Sequence, residues 1–287
     1  MITNDYKTRV KNGILELKNK GLSQPKIAVQ LGAGDAYISN ILNDKWEHIS
    51  DEYWRKLGSG LRIENKWVVQ PMTANFKVIF NLCNDACDYN KFVALTAYTG
   101  AGKTETLKMY KKANPTTSAY ILCEEDMTRK DFIQEIQKAI GVEFSGNLRS
   151  QRKQICDWLI AQNKFVLLFD EADKLRDPIF RVIKMIFDLT ENKAGILIAG
   201  TPVLLENINR KAKRNVIGFR EFKRRIMSYK SVKGFKTQYE DVKKICRANG
   251  LNVEKYIKKA FDESTNFGEL KYKVQMMQIV QQKNTAA

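Results

Sequence analysis

The sequence is poor in the residues that build metal clusters and disulfide frameworks. It contains one histidine, His48, and an odd number of cysteines. The spacing Cys83-x-x-x-Cys87 has no second ligand pair, so we predict neither a zinc site nor a disulfide scaffold. Reduced thiols of this kind are typical of the cytosol. The other cysteines are scattered through predicted helices and strands: Cys123, Cys156 and Cys246.

Long apolar runs are absent as well. No segment reaches the roughly 18 apolar residues of a membrane-spanning helix, and no secretory leader is recognisable at the amino terminus. We therefore expect a cytoplasmic protein with no membrane partner.

Acidic residues are strongly outnumbered. The chain has 49 Lys plus Arg against 32 Asp plus Glu, a formal net charge of +17. Residues 201–287 hold 20 basic and 8 acidic side chains, so +12 of this charge lies in the last third. Within 207–236 there are 11 basic residues, opposed only by Glu221. Such a field attracts the phosphate backbone of DNA without reading sequence, although a merely solubilising face is the alternative. The predicted DNA contacts in this run are Lys211, Lys213 and Arg214.

An apolar segment followed by a glycine-rich turn spans Phe92–Thr104, FVALTAYTGAGKT. A strand that enters a helix through such a turn directs backbone N–H groups at the phosphates of a nucleotide. Two glycines allow close approach, Lys103 supplies a positive charge, and Thr104 offers a hydroxyl to Mg2+. Ala97 replaces the first glycine of the G-x-x-x-x-G-K-[ST] pattern, and a chance glycine-rich turn is the alternative. The predicted ATP-binding residues are Thr99, Gly100, Ala101, Gly102, Lys103, Thr104 and Glu105.

A second apolar run, Lys164–Glu171, ends in two acidic residues. Its continuity predicts a buried parallel strand. At the tip, Asp170 is predicted to hold Mg2+ and Glu171 to polarise the attacking water. A buried strand with a solvated acidic end is the alternative. The order and spacing of the two motifs indicate an ATP-binding and hydrolysing core, with Lys103 and Glu171 as its catalytic residues.

A third apolar run, Ala194–Pro202, predicts another buried strand. Strands that alternate with helices predict an α/β fold with a doubly wound parallel sheet and a nucleotide at the carboxyl ends of the strands. The helix over Thr128–Ile140 opens with a variant capping box formed by Thr128 and Asp131. The other predicted helices around this sheet are Thr73–Asp88, Lys103–Ala113, Leu148–Asn163 and Pro178–Thr190.

These motifs resemble the AAA+ superfamily, and within it the ATPases of DNA transposition, the IstB-like and transposon target-selector family. The resemblance covers nearly the whole chain. The sequence Asp170-Glu-Ala-Asp173 also spells the name of a helicase family. Those helicases need a downstream Ser-Ala-Thr element, whereas the next strand here ends AGTP. The resemblance implies an AAA+ P-loop NTPase core, a parallel sheet flanked by helices, followed by a small helical lid.

The same resemblance implies further site residues. Thr201 falls at the sensor-1 position, between the two other phosphate elements. Arg225 falls at the arginine finger that a neighbouring subunit delivers, with Arg224 as the runner-up and Arg220 third. Asn266-Phe-Gly-Glu-Leu-Lys271 is similar to the start of the sensor-2 helix, with Lys271 in place of the usual arginine. DNA phosphates are the alternative target for each arginine.

The segment Ser23–Trp46 reads as a helix-turn-helix. Ser23 is a good N-cap, Pro25 suits the first turn and Gly32 provides the connection. Apolar residues recur at helical spacing: Ile27, Ala28, Leu31, Ile38, Ile41 and Leu42. The exposed face of the second helix is predicted to reach DNA through Tyr37, Ser39 and Asn40. Because that face lacks Arg and Lys, we expect weak or nonspecific contact. A small helical bundle that contacts protein is the alternative.

Taken together, the sequence predicts a helix-turn-helix domain (1–57), a linker (58–71), an AAA+ ATPase core (72–236) and a helical lid (237–287). The lid segment reads as helical from Thr237 to Gln282. The resemblance implies an ATP- and Mg2+-dependent ATPase that assembles on double-stranded target DNA, as a helical filament or a ring, and directs a transposase. It also implies a bacterial or phage-encoded, nucleoid-associated protein. A helicase loader or replication initiator, or an ATP-switched DNA-binding regulator, are the alternatives.

Overall fold

The computed structural model describes residues 4–61, 63, 73–190, 193–232, 234–235 and 238–285. Its contacts divide the chain into two compact units. The described residues of Met1–Val68 group with Ile245–Asn252, and those of Val69–Lys244 group with Val253–Ala287. In the described part of the chain, none of the helices combines the length and apolar character needed to cross a membrane.

The first unit contains four amino-terminal helices. They are α1 (Asn4–Asn19), α2 (Gln24–Gln30), α3 (Asp35–Leu42) and α4 (Asp51–Gly60). The predicted helix-turn-helix corresponds to α2 and α3, with Ser23 as the N-cap of α2. Gly32 takes a left-handed φ of 61° in the connection, which a side chain would disfavour. The core of this unit surrounds the fully buried Trp54 and includes most of the predicted apolar positions: Ile27, Ala28, Leu31, Ile38 and Ile41.

The predicted linker differs from expectation at its start, and most of its remainder lies outside the described residues. Gly58-Ser-Gly60 lies in the last turn of α4 and does not begin a linker. Gly58 is kept small by packing, since an added Cβ would come 1.8 Å from the Tyr6 hydroxyl oxygen. The segment 64–71 of the predicted linker and the predicted boundary at 236–237 fall outside the described residues.

The second unit is built on a parallel five-stranded sheet in the order β2-β3-β4-β1-β5. The strands are β1 (Phe92–Thr96), β2 (Ser118–Leu122), β3 (Val166–Asp170), β4 (Gly195–Gly200) and β5 (Ser228–Ser231). Three of these strands coincide with the predicted apolar runs, whereas the two edge strands were not predicted. Thr96 lies beside Gly200, and Leu122 lies beside Asp170, so the carboxyl ends are level between β1 and β4 and between β2 and β3. Level carboxyl ends are where α/β sheets bind their ligands.

Helices cover both faces of the sheet because side chains alternate along each strand. Leu167 and Phe169 of β3 face one apolar layer, and Val166 and Leu168 face the other. Gly195 allows close approach to the second layer, since an added Cβ would lie 2.0 Å from the Ala86 carbonyl oxygen. The helices are α5 (Ala74–Asp88), α6 (Lys103–Ala113), α7 (Arg129–Ile140), α8 (Leu148–Ala161), α9 (Asp177–Leu189), α10 (Pro202–Lys213) and α11 (Phe219–Arg225). The predicted capping box of α7 is confirmed.

The carboxyl-terminal segment, which the sequence predicts to be helical from Thr237 to Gln282, forms three helices separated by short breaks. It forms α12 (Tyr239–Ala248), α13 (Glu254–Asp262) and α14 (Phe267–Thr285). Gly250 has a left-handed φ of 88°, a conformation that ends helices readily at glycine. A second break, at 264–266, brings the start of α14 to the glycine-rich turn described below.

Candidate nucleotide site

The predicted phosphate turn connects β1 to α6. Gly100 and Gly102 adopt left-handed φ angles of 74° and 90°, and Gly102 is the N-cap of α6. These angles direct successive backbone N–H groups to one side, which forms a concave site for an anion. The Lys103 side chain is buried and its Nζ donates to the carbonyl oxygens of Ala97 (2.7 Å) and Tyr98 (3.3 Å). The ammonium therefore bridges the turn in this structure.

Burial lowers the pKa of the Lys103 ammonium, and nearby carboxylates oppose that shift. They belong to Asp170, Asp173 and Glu171, in decreasing order of effect. Lysine and three acids from separate segments thus share one environment at the carboxyl ends of β1 and β3. This juxtaposition is the one that an ATP site with bound Mg2+ requires.

Asp170 is fully buried at the end of β3, and both of its carboxylate oxygens accept hydrogen bonds. The Tyr120 hydroxyl on β2 donates to Oδ2 (2.9 Å), and the Glu171 amide donates to Oδ1 (2.9 Å). The Asp170 carboxylate also raises the pKa of Tyr120, after the larger effect of burial, so this phenol remains a donor. Tyr120 was missed in the sequence because β2 was not predicted.

Glu171 lies in a strained backbone conformation. Its φ is 54°, which a non-glycine residue adopts at a cost of about 1–2 kcal/mol. Such strain is often retained where it positions a functional side chain. The Glu171 carboxylate forms an ion pair with Lys174 (2.5 Å), in the single-turn 3-10 helix that follows β3 (Ala172–Lys174).

The predicted sensor residue Thr201 is tied to this segment through Asp173. The Thr201 amide donates to Asp173 Oδ1 (3.1 Å), and its hydroxyl donates to Oδ2 (2.8 Å). The preceding residue leaves no room for a side chain, because a Cβ on Gly200 would lie 2.5 Å from Asp173 Oδ1. Asp173 was not assigned a role from the sequence, although it stands within the quoted Asp170–Asp173 motif.

The carboxyl-terminal helices contribute a contact to the phosphate turn. The Phe267 amide donates to the Gly100 carbonyl oxygen (3.0 Å). A Cβ on Gly100 would lie 2.6 Å from Asn266 Oδ1, so the side chain of Asn266 lies directly against the turn. On α5, Asn75 is buried and its amide reaches the Ala101 carbonyl oxygen at 3.5 Å.

The other residues predicted to bind the nucleotide differ in exposure. Thr99 and Glu105 are exposed beside the turn, and Thr104 is half-buried in the first turn of α6. Lys271 is exposed on α14, and within the described residues its side chain makes no hydrogen bond or ion pair. The contact to the turn from this segment comes from Asn266 and Phe267, which open the predicted sensor-2 motif but were given no role of their own.

The two arginine-finger candidates occupy different environments at the end of α11. Arg225 is half-buried, and its Nε donates to Asp188 Oδ1 (2.6 Å). Arg224 is exposed, and in the part of the chain that the structure describes its side chain has no ion-pair partner.

The predicted DNA contacts also differ in their pairing and exposure. Lys211 forms an ion pair with Asp177 and lies 5.1 Å from the ring centroid of Phe219. Lys213 and Arg214 are exposed. In the first unit, the Tyr37 ring stacks on Tyr53 (centroids 4.1 Å apart) while staying 41% exposed. The remaining predicted contacts on α3, Ser39 and Asn40, are half-buried.

Comparisons with known proteins agree with this architecture. A family profile described as an AAA domain matches residues 87–208. The crystal structure of Cdc6p from Pyrobaculum aerophilum is similar, with a TM-score of 0.53, 15% identity, and coverage of 77% of this chain and 65% of that chain. AMPPCP-bound DnaA from Aquifex aeolicus has a TM-score of 0.47 and 16% identity, covering 70% of this chain and 60% of that chain. No curated protein sequence matches this chain.

The matched AAA domain supports the broad prediction of an AAA+ core and not its narrower form. This chain spans just under two thirds of the length of Cdc6p. The specific resemblance to transposition ATPases is not confirmed. The parallel five-stranded sheet, the helices on both of its faces and the matched AAA domain together show that the second unit has the AAA+ P-loop fold.

Proposed function

We propose that this chain is an Mg2+-dependent ATPase whose nucleotide state controls its binding to DNA. The observation that carries the proposal is the shared environment of Lys103 with Asp170, Glu171 and Asp173 at the carboxyl edge of the sheet. The hydrogen bonds between Asp173 and Thr201 extend this site to β4.

The residues present suit the phosphates of ATP. The left-handed turn at Gly100 and Gly102 precedes a helix N-terminus, and both favour an anion. Lys103 would exchange its two carbonyl partners for phosphate oxygens. Thr104 and Asp170 would hold Mg2+, which binds through one or two carboxylates and takes its other ligands from water and phosphate. When bound, Mg2+ neutralises negative charge on the phosphates.

Hydrolysis requires a group that accepts a proton from the attacking water. Glu171 is the proposed base, and its strained backbone holds the carboxylate at the tip of β3. Its ion pair with Lys174 would have to open for the carboxylate to reach the water. Thr201 would orient the same water or the terminal phosphate, and Asp173 would hold Thr201 in place.

A second copy of the chain would complete the site with an arginine. The sequence favours Arg225, but that side chain is held by Asp188. We therefore propose Arg224 first, since it is exposed at the end of α11. An arginine delivered from a neighbour makes hydrolysis depend on assembly.

The biological role has two candidates. The fold similarity to Cdc6p supports an initiator or helicase-loader role. The order of motifs, with a helix-turn-helix ahead of the ATPase core and a basic final third, supports the transposition role implied by the sequence resemblance. Both candidates share ATP, double-stranded DNA and self-association, and a transposase partner belongs to the second alone.

ATP turnover tests the enzymatic part of the proposal. We expect Lys103→Ala and Glu171→Gln each to lower turnover by about 10²–10⁴-fold, the range for a general base or an equivalent charge. Lys112→Ala, an exposed lysine in the last turn of α6, is the matched control and should turn over normally. Full activity in Glu171→Gln would exclude it as the base.

Electron microscopy with duplex DNA separates the roles. Filaments with ATP or a non-hydrolysable analogue, absent with ADP, would favour target selection in transposition. Closed rings that require ATP would favour the initiator or loader. DNA binding that is indifferent to nucleotide would refute the proposed coupling.

A further inference from the structure

The connection between α10 and α11 is a short, tightly held turn. The amide of Val216 donates to the Lys211 carbonyl oxygen (2.9 Å), and Asn215 has a left-handed φ of 57°. These features define a Schellman-type end to α10. Gly218, with φ of 87°, then starts α11, and its carbonyl oxygen accepts from the Phe222 amide (2.9 Å). Two left-handed residues therefore bracket the tip 216–217.

The tip carries an apolar side chain that folding does not explain. In a Schellman motif the residue after the left-handed one commonly packs back on the helix, and that place belongs to Val216. Val216 is 36% exposed, whereas Ile217 is 79% exposed. Phe219 is buried just beyond and anchors the turn.

Four cations surround this tip. Lys213 and Arg214 precede it and Arg220 follows it, and all three are exposed. Arg181 of α9 joins them in space, because a Cβ on Gly218 would lie 3.2 Å from Arg181 Cγ. Within the described residues, none of the four side chains has a hydrogen-bond or ion-pair partner.

Three neighbouring cations already have side-chain partners. Lys211 pairs with Asp177, Arg225 pairs with Asp188, and Arg210 donates to Asn207 Oδ1 (2.6 Å). Carboxylates thus neutralise Lys211 and Arg225, whereas none of the described carboxylates pairs with the four cations at the tip.

We propose that Ile217 is an apolar wedge that inserts between base pairs of duplex DNA while the four free cations bind the flanking phosphates. This inference rests on the proposed function and assigns its DNA-contacting element. Cations alone would attract any polyanion. A rigid apolar tip within a basic surface matches proteins that unstack a base step and bend the duplex. A membrane surface fits less well, because stable interfacial binding needs a broad apolar face.

The test uses a duplex that carries 2-aminopurine, whose fluorescence rises when its neighbours unstack. We expect the full-length protein with a non-hydrolysable ATP analogue to raise the fluorescence. Ile217→Ser should abolish the rise and weaken binding about tenfold, the order expected for one buried apolar side chain. Ile217→Ala, which is milder for folding, should reduce both. The matched control is Ile160→Ser, at a 41% exposed isoleucine on α8.

The contribution of the cations is measured separately, through the salt dependence of DNA binding. Arg214→Gln should lower the slope of log K against log salt by about 0.9, the value for one lost phosphate contact. It should leave the fluorescence rise of the bound state intact.

Several results would overturn the inference. If wild type binds duplex and Ile217→Ser keeps the full fluorescence rise, the wedge is refuted while the proposed function stands. If wild type binds no duplex in any nucleotide state, the DNA part of the proposed function fails as well. If Ile217→Ser loses binding to phosphatidylserine vesicles but keeps the duplex signal, the tip is a membrane contact instead.

Discussion

Replacing Asp173 by alanine removes the acceptor of two hydrogen bonds that connect the segment after β3 to the end of β4. The donors are the amide and the hydroxyl of Thr201. Both donors are partly buried, and Asp173 itself is half-buried. The variant therefore tests whether this link holds the two halves of the candidate site together.

The expected magnitude follows from the nature of the bonds. A hydrogen bond to a charged group contributes about 1.5–3 kcal/mol, and the lower end applies here because water can replace part of each bond. We expect Asp173→Ala to lower the free energy of unfolding by about 2–3 kcal/mol. Thr201→Val removes only the hydroxyl bond and should cost about 1–1.5 kcal/mol.

A double-mutant cycle measured by urea denaturation separates the link from unrelated effects. The two single variants and the double variant should give a coupling free energy of about 1 kcal/mol. Additivity within about 0.3–0.5 kcal/mol would refute the link, since independent sites behave that way. Turnover should fall in parallel for both single variants if Asp173 acts by positioning Thr201.

Three further predictions address other parts of the second unit. Gly100→Ala should abolish ATP binding measured by calorimetry, because the new Cβ would lie 2.6 Å from Asn266 and the φ of residue 100 is left-handed. Adding Asn266→Ala should restore part of the lost free energy of unfolding, which would show that the two residues are in contact. Arg225→Ala should lower the free energy of unfolding by about 0.2–1 kcal/mol, because it removes a partly exposed ion pair. Arg224→Ala should leave the free energy of unfolding unchanged and remove the dependence of ATP turnover on protein concentration. If Arg225→Ala removes that dependence and Arg224→Ala does not, Arg225 is the arginine finger. Burial raises the pKa of all five thiols, that of Cys156 to about 11, so the native protein should resist alkylation at pH 8. Because the unfolded thiols ionise first, stability should decline as pH rises from about 9 to about 11, and a flat profile would contradict this.

The contact between the carboxyl-terminal helices and the phosphate turn shows what tertiary structure adds to a sequence motif. The sequence directed attention to Lys271 because it stands at the sensor-2 position. In the fold, Lys271 is exposed, and the break before α14 places Asn266 and Phe267 against Gly100. The start of this helix was read from the sequence, but its contact with Gly100 depends on packing between distant segments, which a local motif does not contain.

The two edge strands of the sheet were likewise not predictable from local sequence. The three central strands were predictable because both of their faces are buried, which produces continuous apolar runs. The edge strand β5 reads SYKS and is largely exposed, so its pairing with β1 leaves no hydrophobic pattern. Its neighbour at the other edge, β2, supplies Tyr120 to Asp170, and that hydrogen bond could not be inferred without the strand order.

Local sequence was sufficient for the glycine-rich turn, the acidic end of β3, the capping box of α7 and the amino-terminal helix pair. Each of these is made by residues close together along the chain, so spacing alone specifies the geometry. The excess of basic residues in the final third was also evident from the sequence, but which of them are available to bind an anionic partner was not. Only the fold distinguishes Lys211, which Asp177 neutralises, from Arg214, which is exposed and has no ion-pair partner among the residues that the structure describes. Whether a cation is free depends on carboxylates that come from distant segments, and only tertiary packing brings those segments together.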